Sequence, residues 1–530
     1  MSSPDTPFAV LVATATVVLV LFQFHRRSAA SKRPRLPPGP ATLPLIGNMH
    51  QLIWNKPSVS RWINGLLSRM GTDILCLRLG SVHVVAVACP EMAREVLRVK
   101  EAAFMSRPST FVSSAFSYGY KSASLTTFEQ QWRKMRRIVT SEILSPALDR
   151  RLHAQRVDEA DHLIRYVSDQ IKMTQDNTIN IRHVGQHFCG NLVRRLVFGK
   201  RYFGEAEPAM AVAGPGDDEV EHVDALFTLV NYVYGFCVSD YFPALVGLDL
   251  DGHEKVAKGV VSTFDRLHDP IIEERMREWA DRREAVEKRE AADFLDVLVS
   301  LEDAAGHPLL TFEEIKAQIV EIMFATVDSP SNAAEWALAE MLNKPDVMQK
   351  AIDELDAVVG RERLVQESDI CKLNYLKSCI REAFRIHPFH AFTAPRVAME
   401  DTTIGGYTVP KGSHVILSRI GLGHKPTVWP EPLEFRPERH LLVGDGMVGL
   451  GEPDLRFVSF STGRRGCPAV PLGTSVTMML FARLLHGFTW TKPPGVDEIA
   501  LQESRTSLSL AEPLLLQAEP RLAAHVYLAN

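Results

Sequence analysis

The chain has 530 residues, 46 % hydrophobic and 23 % charged, an ordinary globular balance with ample material for a large core. Its formal net charge of −5 provides no strongly basic field, which argues against nucleic acid as a partner. The seven cysteines (Cys76, Cys89, Cys189, Cys237, Cys371, Cys379 and Cys467) are dispersed with no C-x-x-C pair, so zinc and a disulfide framework are not expected and reduced, cytosol-facing thiols are.

In chain order, the first signal is Phe8–Phe24 (FAVLVATATVVLVLFQF), which carries no charge. It sits at the short edge of a spanning helix. The basic residues that follow it (His25, Arg26, Arg27, Lys32, Arg33, Arg35) predict a cytosolic body. A cleaved signal peptide would carry its charge before the apolar run instead. Residues 1–25 therefore read as a membrane anchor. Pro34–Pro40 (PRLPPGP) favours a stiff, extended chain, so residues 26–40 read as a basic, proline-rich linker. No internal repeat or second linker divides residues 41–530, which read as one large domain.

Within that domain, ILCLRLGSVHVVAVA (74–88) has strand character, and QWRKMRR gathers Trp132, Arg133, Lys134, Arg136 and Arg137 in one basic segment. The stretch 206–222 reads as an exposed loop, and 267–291, heavily charged, as a solvated helix. The segment 311–344 opens with Thr311 and Glu314 at capping-box spacing and predicts an unusually long helix. Near its middle lie Thr326, Asp328, Ser329 and Pro330. Proline removes a donor and clashes with the carbonyl four residues back, so the helix is expected to kink or open there. Asp328 and the neighbouring hydroxyls could relay protons at such a break.

Pro345 starts, and Gly360 stops, a further amphipathic helix. The next, KLNYLKSCIREAFRIHP (372–388), carries Glu382 and Arg385 three apart on one face; in isolation such a pair reads as surface decoration. TTIGGYTVPKGSHVILS (402–418) reads as strands with turns at Gly405-Gly406 and Lys411-Gly412. FRPERH (435–440) then offers Arg439 as another partner for Glu382. Last comes FSTGRRGCPAV (460–470), where Gly463 and Gly466 allow a tight turn around Cys467. Arg464 and Arg465 are expected to favour its thiolate, which suits either a nucleophile or an axial metal ligand. Taken together, the elements predict a mainly α protein with small β-sheets.

These features, in this order, resemble the cytochrome P450 family from residue 34 onward: PPGP, Trp132 and Arg136, Glu382-x-x-Arg385, PERH, and Phe460-x-x-Gly463-x-Arg465-x-Cys467. The resemblance implies a haem b whose iron takes the Cys467 thiolate. Trp132, Arg136, Arg396, Phe460 and Arg465 match cofactor-binding positions, and Glu382, Arg385 and Arg439 a buried structural triad. It also implies O2, electrons from NADPH through a cytochrome P450 reductase, and attachment to the endoplasmic reticulum membrane and its lipid by a single-pass anchor. The reductase is expected to dock near Arg133, Lys134, Arg136, Arg137 and Arg464.

VDSPSNAAEWALAEM, SFSTGRRGC, LLHGFTWTKPPGV and LLLQAEPRLAAHVY narrow the resemblance to the plant amino-acid N-monooxygenases, which make aldoximes. The implied reaction is N-hydroxylation of an L-amino acid, with an aromatic one (tyrosine or phenylalanine) favoured by likeness to monocot-type sequences. Asp328, Ser329 and Thr326 are the implied catalytic positions, and Phe392 and Thr393 lie in the implied substrate pocket. Three departures stand out. Ser329 replaces the subgroup's asparagine, 391–396 reads AFTAPR, and Pro468 and Pro471 flank the cysteine. They leave two rivals open: a carbon-hydroxylating cytochrome P450 acting on another metabolite, and a haem protein without turnover. No residue in the sequence stands out as the anchor for a substrate carboxylate; Arg107, within FMSRPST, reads as structural.

Overall fold

A computed structural model describes residues 35–56, 58–204, 215–233, 235–284, 290–441 and 446–528. The expected anchor at 1–25, and the expected linker up to residue 34, lie outside the described residues. Helices dominate. Those that frame the core and the cavity include α1 (Gln130–Ile138), α2 (His153–Met173), α3 (Ile181–Phe198), α4 (Asp217–Val233), α5 (His253–Glu284), α6 (Phe312–Leu342), α7 (Pro345–Val358), α8 (Asn374–Ile386) and α9 (Val470–Gly487).

Three small sheets flank them. In the four-stranded sheet, β1 (Ile74–Leu79) pairs antiparallel with β2 (Val82–Val87). The other two sheets use β3 (Thr178–Asn180), β8 (Phe488–Thr491) and β9 (Leu515–Pro520), and the hairpin of β5 (Thr402–Ile404) with β6 (Tyr407–Val409). Strand β2 also pairs in parallel with β7 (His414–Leu417), which pairs antiparallel with β4 (Arg396–Val397). A parallel pair needs a crossover, and here the helical body is that crossover. The pairing brings the 391–397 segment and the residues just after β7 to the edge of the core.

Helix α6 is the axis of the core and packs on α3, α4, α8 and α9. Thr311 and Glu314 form both arms of its capping box. The helix is buried on nearly all sides, and several of its inward charged groups are paired. Lys316 Nζ lies 2.6 Å and 2.7 Å from Asp265 and Asp269 of α5. Glu335 pairs with Arg182 at 3.1 Å and accepts from the Leu514 N–H at 3.0 Å. Glu340 meets His387 at 2.7 Å, and the His387 ring stacks on Trp336 with centroids 3.8 Å apart.

The structure corrects several expectations. Helix α6 does not open at Pro330 but continues through it in helical geometry. Packing holds it: α3 approaches so closely at Gly185 that a Cβ there would stand 3.0 Å from the Ser331 Cβ. The charged stretch 267–291 is not a purely solvated helix. It lies largely within α5, which starts at His253 and buries His268, Ile271, Ile272 and Trp279. Residues 217–222 are the first turns of α4 rather than loop, and Glu219 and His222 are buried.

Glu382 and Arg385 are not surface decoration; both side chains have no solvent exposure. Arg385 donates Nε and Nη2 to the two carboxylate oxygens at 2.8 Å and 2.7 Å. Arg439 Nε lies 2.9 Å and His440 Nε2 2.7 Å from the same carboxylate. Burial alone would raise the Glu382 carboxyl, but hydrogen bonds from Arg385 and His440 and their charge outweigh it and hold it at about 2. Arg385 Nη1 also donates to the carbonyls of Gly423 and Pro432 at 2.5 Å and 2.7 Å, tying two further segments to α8.

Replacing this carboxylate should therefore expose the cost of two buried guanidiniums. Glu382→Ala is expected to destabilise the full chain by about 3–5 kcal/mol in denaturant unfolding at pH 7. The native pair is present above the ordinary carboxyl range and lost as pH falls toward 2, so the difference should shrink in acid. A loss within the range of exposed pairs, below about 1 kcal/mol, would contradict the role of this knot.

Candidate active site

The Phe460–Cys467 loop is closed by its own backbone. The Cys467 N–H donates to the Phe460 carbonyl and the Gly466 N–H to the Gly463 carbonyl, both at 2.9 Å. Gly463 adopts φ 76°, and a Cβ there would collide with the Glu101 carboxylate, which accepts from the Arg464 N–H. Helix α9 begins three residues after the cysteine with Pro471 in its first turn, where no helical donor is lost. Pro468 and Pro471 thus leave the loop intact.

The Cys467 sulfur opens onto a large cavity. Burial raises its pKa, while the Ala469 N–H and the Arg136 charge act the other way. The cation beside the thiol is Arg136, not Arg464 or Arg465 as the sequence suggested. Arg136 comes from α1 and donates to the Gly466 carbonyl at 2.9 Å. Arg464 turns outward toward Glu101 and Met105. Arg465 points inward, donating to the carbonyls of Met105 and Thr126 at 2.8 Å and lying 4.6 Å over the Trp132 ring.

Arg465 belongs to a cluster of guanidiniums on this wall of the cavity. Arg396, at the start of β4, donates to the Phe104 carbonyl at 3.4 Å. Arg107 donates Nη1 to the Ala394 and Pro395 carbonyls at 2.9 Å and 2.8 Å. Among the described residues, Arg136, Arg396 and Arg465 form no ion pair with a carboxylate within 4.0 Å. Burial and mutual repulsion with Arg107 pull Arg465 down to about 8 and Arg396 to about 9. Buried cations in that condition call for an anion. Phe460 completes this wall, edge-on to Phe384 with centroids 6.1 Å apart.

The cavity, of about 300 Å3, is also lined by Thr326, Asp328, Ser329, Phe392 and Thr393. The Thr326 hydroxyl donates to the Ile322 carbonyl at 2.7 Å, leaving its oxygen as an acceptor. Burial pushes Asp328 up to about 7, against a smaller opposing effect of Arg419. Phe392 bridges to Ser418, and the Thr393 N–H donates to the Leu417 carbonyl at 3.0 Å, so this segment extends the sheet edge. Every site residue expected from the sequence other than the Glu382–Arg385–Arg439 knot lines this one cavity. The structure adds Arg419, His390 and Glu321 to its walls. Arg419 and His390 carry no spacing signal, and Glu321 looks like one more charge on a long helix.

The comparisons with known proteins agree with this geometry. A family profile described as Cytochrome P450 matches residues 37–517. The chain is similar to the tyrosine N-monooxygenase of Sorghum bicolor, 58 % identical over 93 % of this chain and 88 % of that protein. It is also similar to valine N-monooxygenase 2 of Manihot esculenta (48 % identical, covering 99 % of this chain and 96 % of the relative). Tryptophan N-monooxygenase 1 of Arabidopsis thaliana is 47 % identical with the same coverage. The residues fit the family's haem: the buried guanidiniums lack the two carboxylates that a porphyrin brings, and the loop sulfur faces the same space. With the profile covering most of the chain and the thiol and cation cluster in one cavity, this chain belongs to the cytochrome P450 family of haem-thiolate monooxygenases.

Proposed function

We propose that the protein N-hydroxylates an aromatic L-amino acid, tyrosine or phenylalanine, on the way to the corresponding aldoxime. The reading rests on one observation above all. A single cavity is lined by a thiol, a cation cluster and an acid–hydroxyl group on α6. The relatives, each named for N-oxygenation of an amino acid, supply the reaction class. Cys467 would supply the thiolate that holds the haem iron, and Arg136, Arg396, Arg465 and Trp132 would hold the haem carboxylates. When bound, the haem activates O2 with electrons taken from NADPH through the reductase.

The chain's own residues orient the substrate and manage protons. Asp328, titrating near neutrality, can hold or release a proton at its carboxyl oxygen. Ser329 lies beside it on the cavity wall and can pass that proton on, while the Thr326 hydroxyl oxygen accepts a hydrogen bond from a water or substrate group. Phe389 and Phe392 give the substrate ring an apolar surface that excludes water. Arg133, Arg137 and Arg464 are exposed on the segments that Arg136 and Gly466 join, and they suit an acidic reductase face. Lys134 is engaged by Glu314 at 2.8 Å and contributes less to that face.

Residues 1–25 anchor the catalytic unit (41–530) to lipid of the endoplasmic reticulum through the 26–40 linker. Among the described residues no helix is long and apolar enough to cross a membrane.

Three outcomes follow. Microsomes containing the protein and reductase, offered all proteinogenic amino acids, should release an aldoxime from tyrosine or phenylalanine. Turnover confined to a metabolite without an α-amino group would instead mark a carbon hydroxylase. Ser329→Asn should keep the same product while altering the ratio of product formed to NADPH consumed; an unchanged ratio removes Ser329 from proton delivery. Asp328 keeps its proton in the folded state between its ordinary carboxyl range and about 7, so it costs stability as pH rises through that window. Asp328→Asn should therefore stabilise the full chain at pH 8, by no more than about 4 kcal/mol, and give little gain near pH 4. A stabilisation independent of pH would contradict the perturbed carboxyl.

A further inference from the structure

The charges that line the cavity fall into two groups, and only one of them is accounted for by the haem. Arg107, Arg396 and Arg136 all act on Arg465, Arg107 acts on Arg396, and Arg136 also acts on Cys467. Arg419 belongs elsewhere: it acts on Asp328 and His390. His390 Nε2 lies 3.9 Å from Asp328 Oδ2, so acid, imidazole and guanidinium share one part of the wall.

Arg419 is held firmly. Its N–H donates to the Ala391 carbonyl at 2.8 Å, in register with the Phe392–Ser418 bridge. Ser418 caps the short helix that follows, accepting from the Gly421 N–H at 2.8 Å. The guanidinium lies 4.2 Å over the Phe389 ring, with the residue only 9 % exposed, and both residues line the cavity. A guanidinium stacked on an aromatic face has its plane fixed, and its fork of N–H donors matches the two oxygens of a carboxylate.

We propose that Arg419 anchors the α-carboxylate of the substrate and that Asp328 receives its α-ammonium, so that the cavity selects a zwitterion. This rests on the amino-acid reading and deepens it. An amino acid presents opposite charges on a single carbon, and Arg419 with Asp328 presents the complementary pair on one wall. Phe389 and Phe392 stand beside that pair for an aromatic side chain. Arg107, the other candidate on the cavity wall, directs Nη1 to two carbonyls and sits with the haem-side cluster. His390 is kept neutral by burial and by Arg419, falling to about 3, so it does not compete for the carboxylate as a cation.

The test is equilibrium dialysis of the haem-loaded full chain against radiolabelled L-tyrosine, L-phenylalanine and their carboxamides. The wild type should bind the preferred amino acid more tightly than its carboxamide. Arg419→Gln should weaken the amino acid by about 10- to 100-fold, as expected for loss of a charge-assisted pair, and the carboxamide by less than about 3-fold. Arg419→Lys, which keeps the charge and loses the planar fork, should retain part of the preference for the carboxylate and serves if the glutamine variant fails to load haem. Equal affinity of wild type for amino acid and carboxamide, or equal loss of both in a variant, overturns the assignment while leaving N-oxygenation standing. Failure of the wild type to bind either amino acid overturns both.

Discussion

The constraint on which the rest of the structure depends is a set of desolvated positive charges facing one thiol. Arg136, Arg396 and Arg465 come from α1, β4 and the Cys467 loop, segments far apart in sequence, and converge with Arg107 on one wall. Each is tethered by carbonyl oxygens, from Phe104, Met105, Thr126 and Gly466, which orient a guanidinium without cancelling its charge. Such an arrangement is unfavourable by itself and becomes favourable with a dianion in place. In the proposed function the haem carboxylates would answer that need, and the same cavity offers a sulfur for iron.

The machinery that makes this possible is a second charge cluster, closed on its own carboxylate. Glu382 takes Arg385, Arg439 and His440 at once, and Arg385 reaches on to the carbonyls of Gly423 and Pro432. Gly423 ends the short helix that begins at Arg419, so the buried knot also fixes the segment that carries the proposed carboxylate anchor. One cluster is closed and rigidifies the fold; the other is left open toward the cavity and defines what enters it. The parallel pairing of β2 with β7 joins the two by setting the register of residues 414–417.

Much of this was legible in the sequence where local rules decide the outcome. The capping box at Thr311 and Glu314, the stops and starts of α7, and the glycine-dependent Cys467 loop follow from spacing and backbone preference. The resemblance carried by the Cys467 and Glu382 motifs gathered the cavity residues before any coordinates. What was not legible depends on tertiary neighbours. Glu382 and Arg385 share the spacing of an exposed helix pair, and only the arrival of residues 436–440 makes them core. Helix α5 looks solvated because its charges hide an inward face that meets Lys316 of α6. Adjacency suggested Arg464 and Arg465 as the thiol's cations, whereas folding brings Arg136 from more than three hundred residues away. Arg419 is a lone arginine in SRIGLG, and nothing but the β7 register and the ring of Phe389 places it on the cavity.

The most direct measurement is the absorption spectrum of the reduced, carbon-monoxide-bound protein, recorded for the wild type and for Cys467→Ser expressed with haem. The account predicts the red-shifted Soret band of thiolate ligation in the wild type and its disappearance in the serine variant. The same band, undiminished in Cys467→Ser, would contradict it.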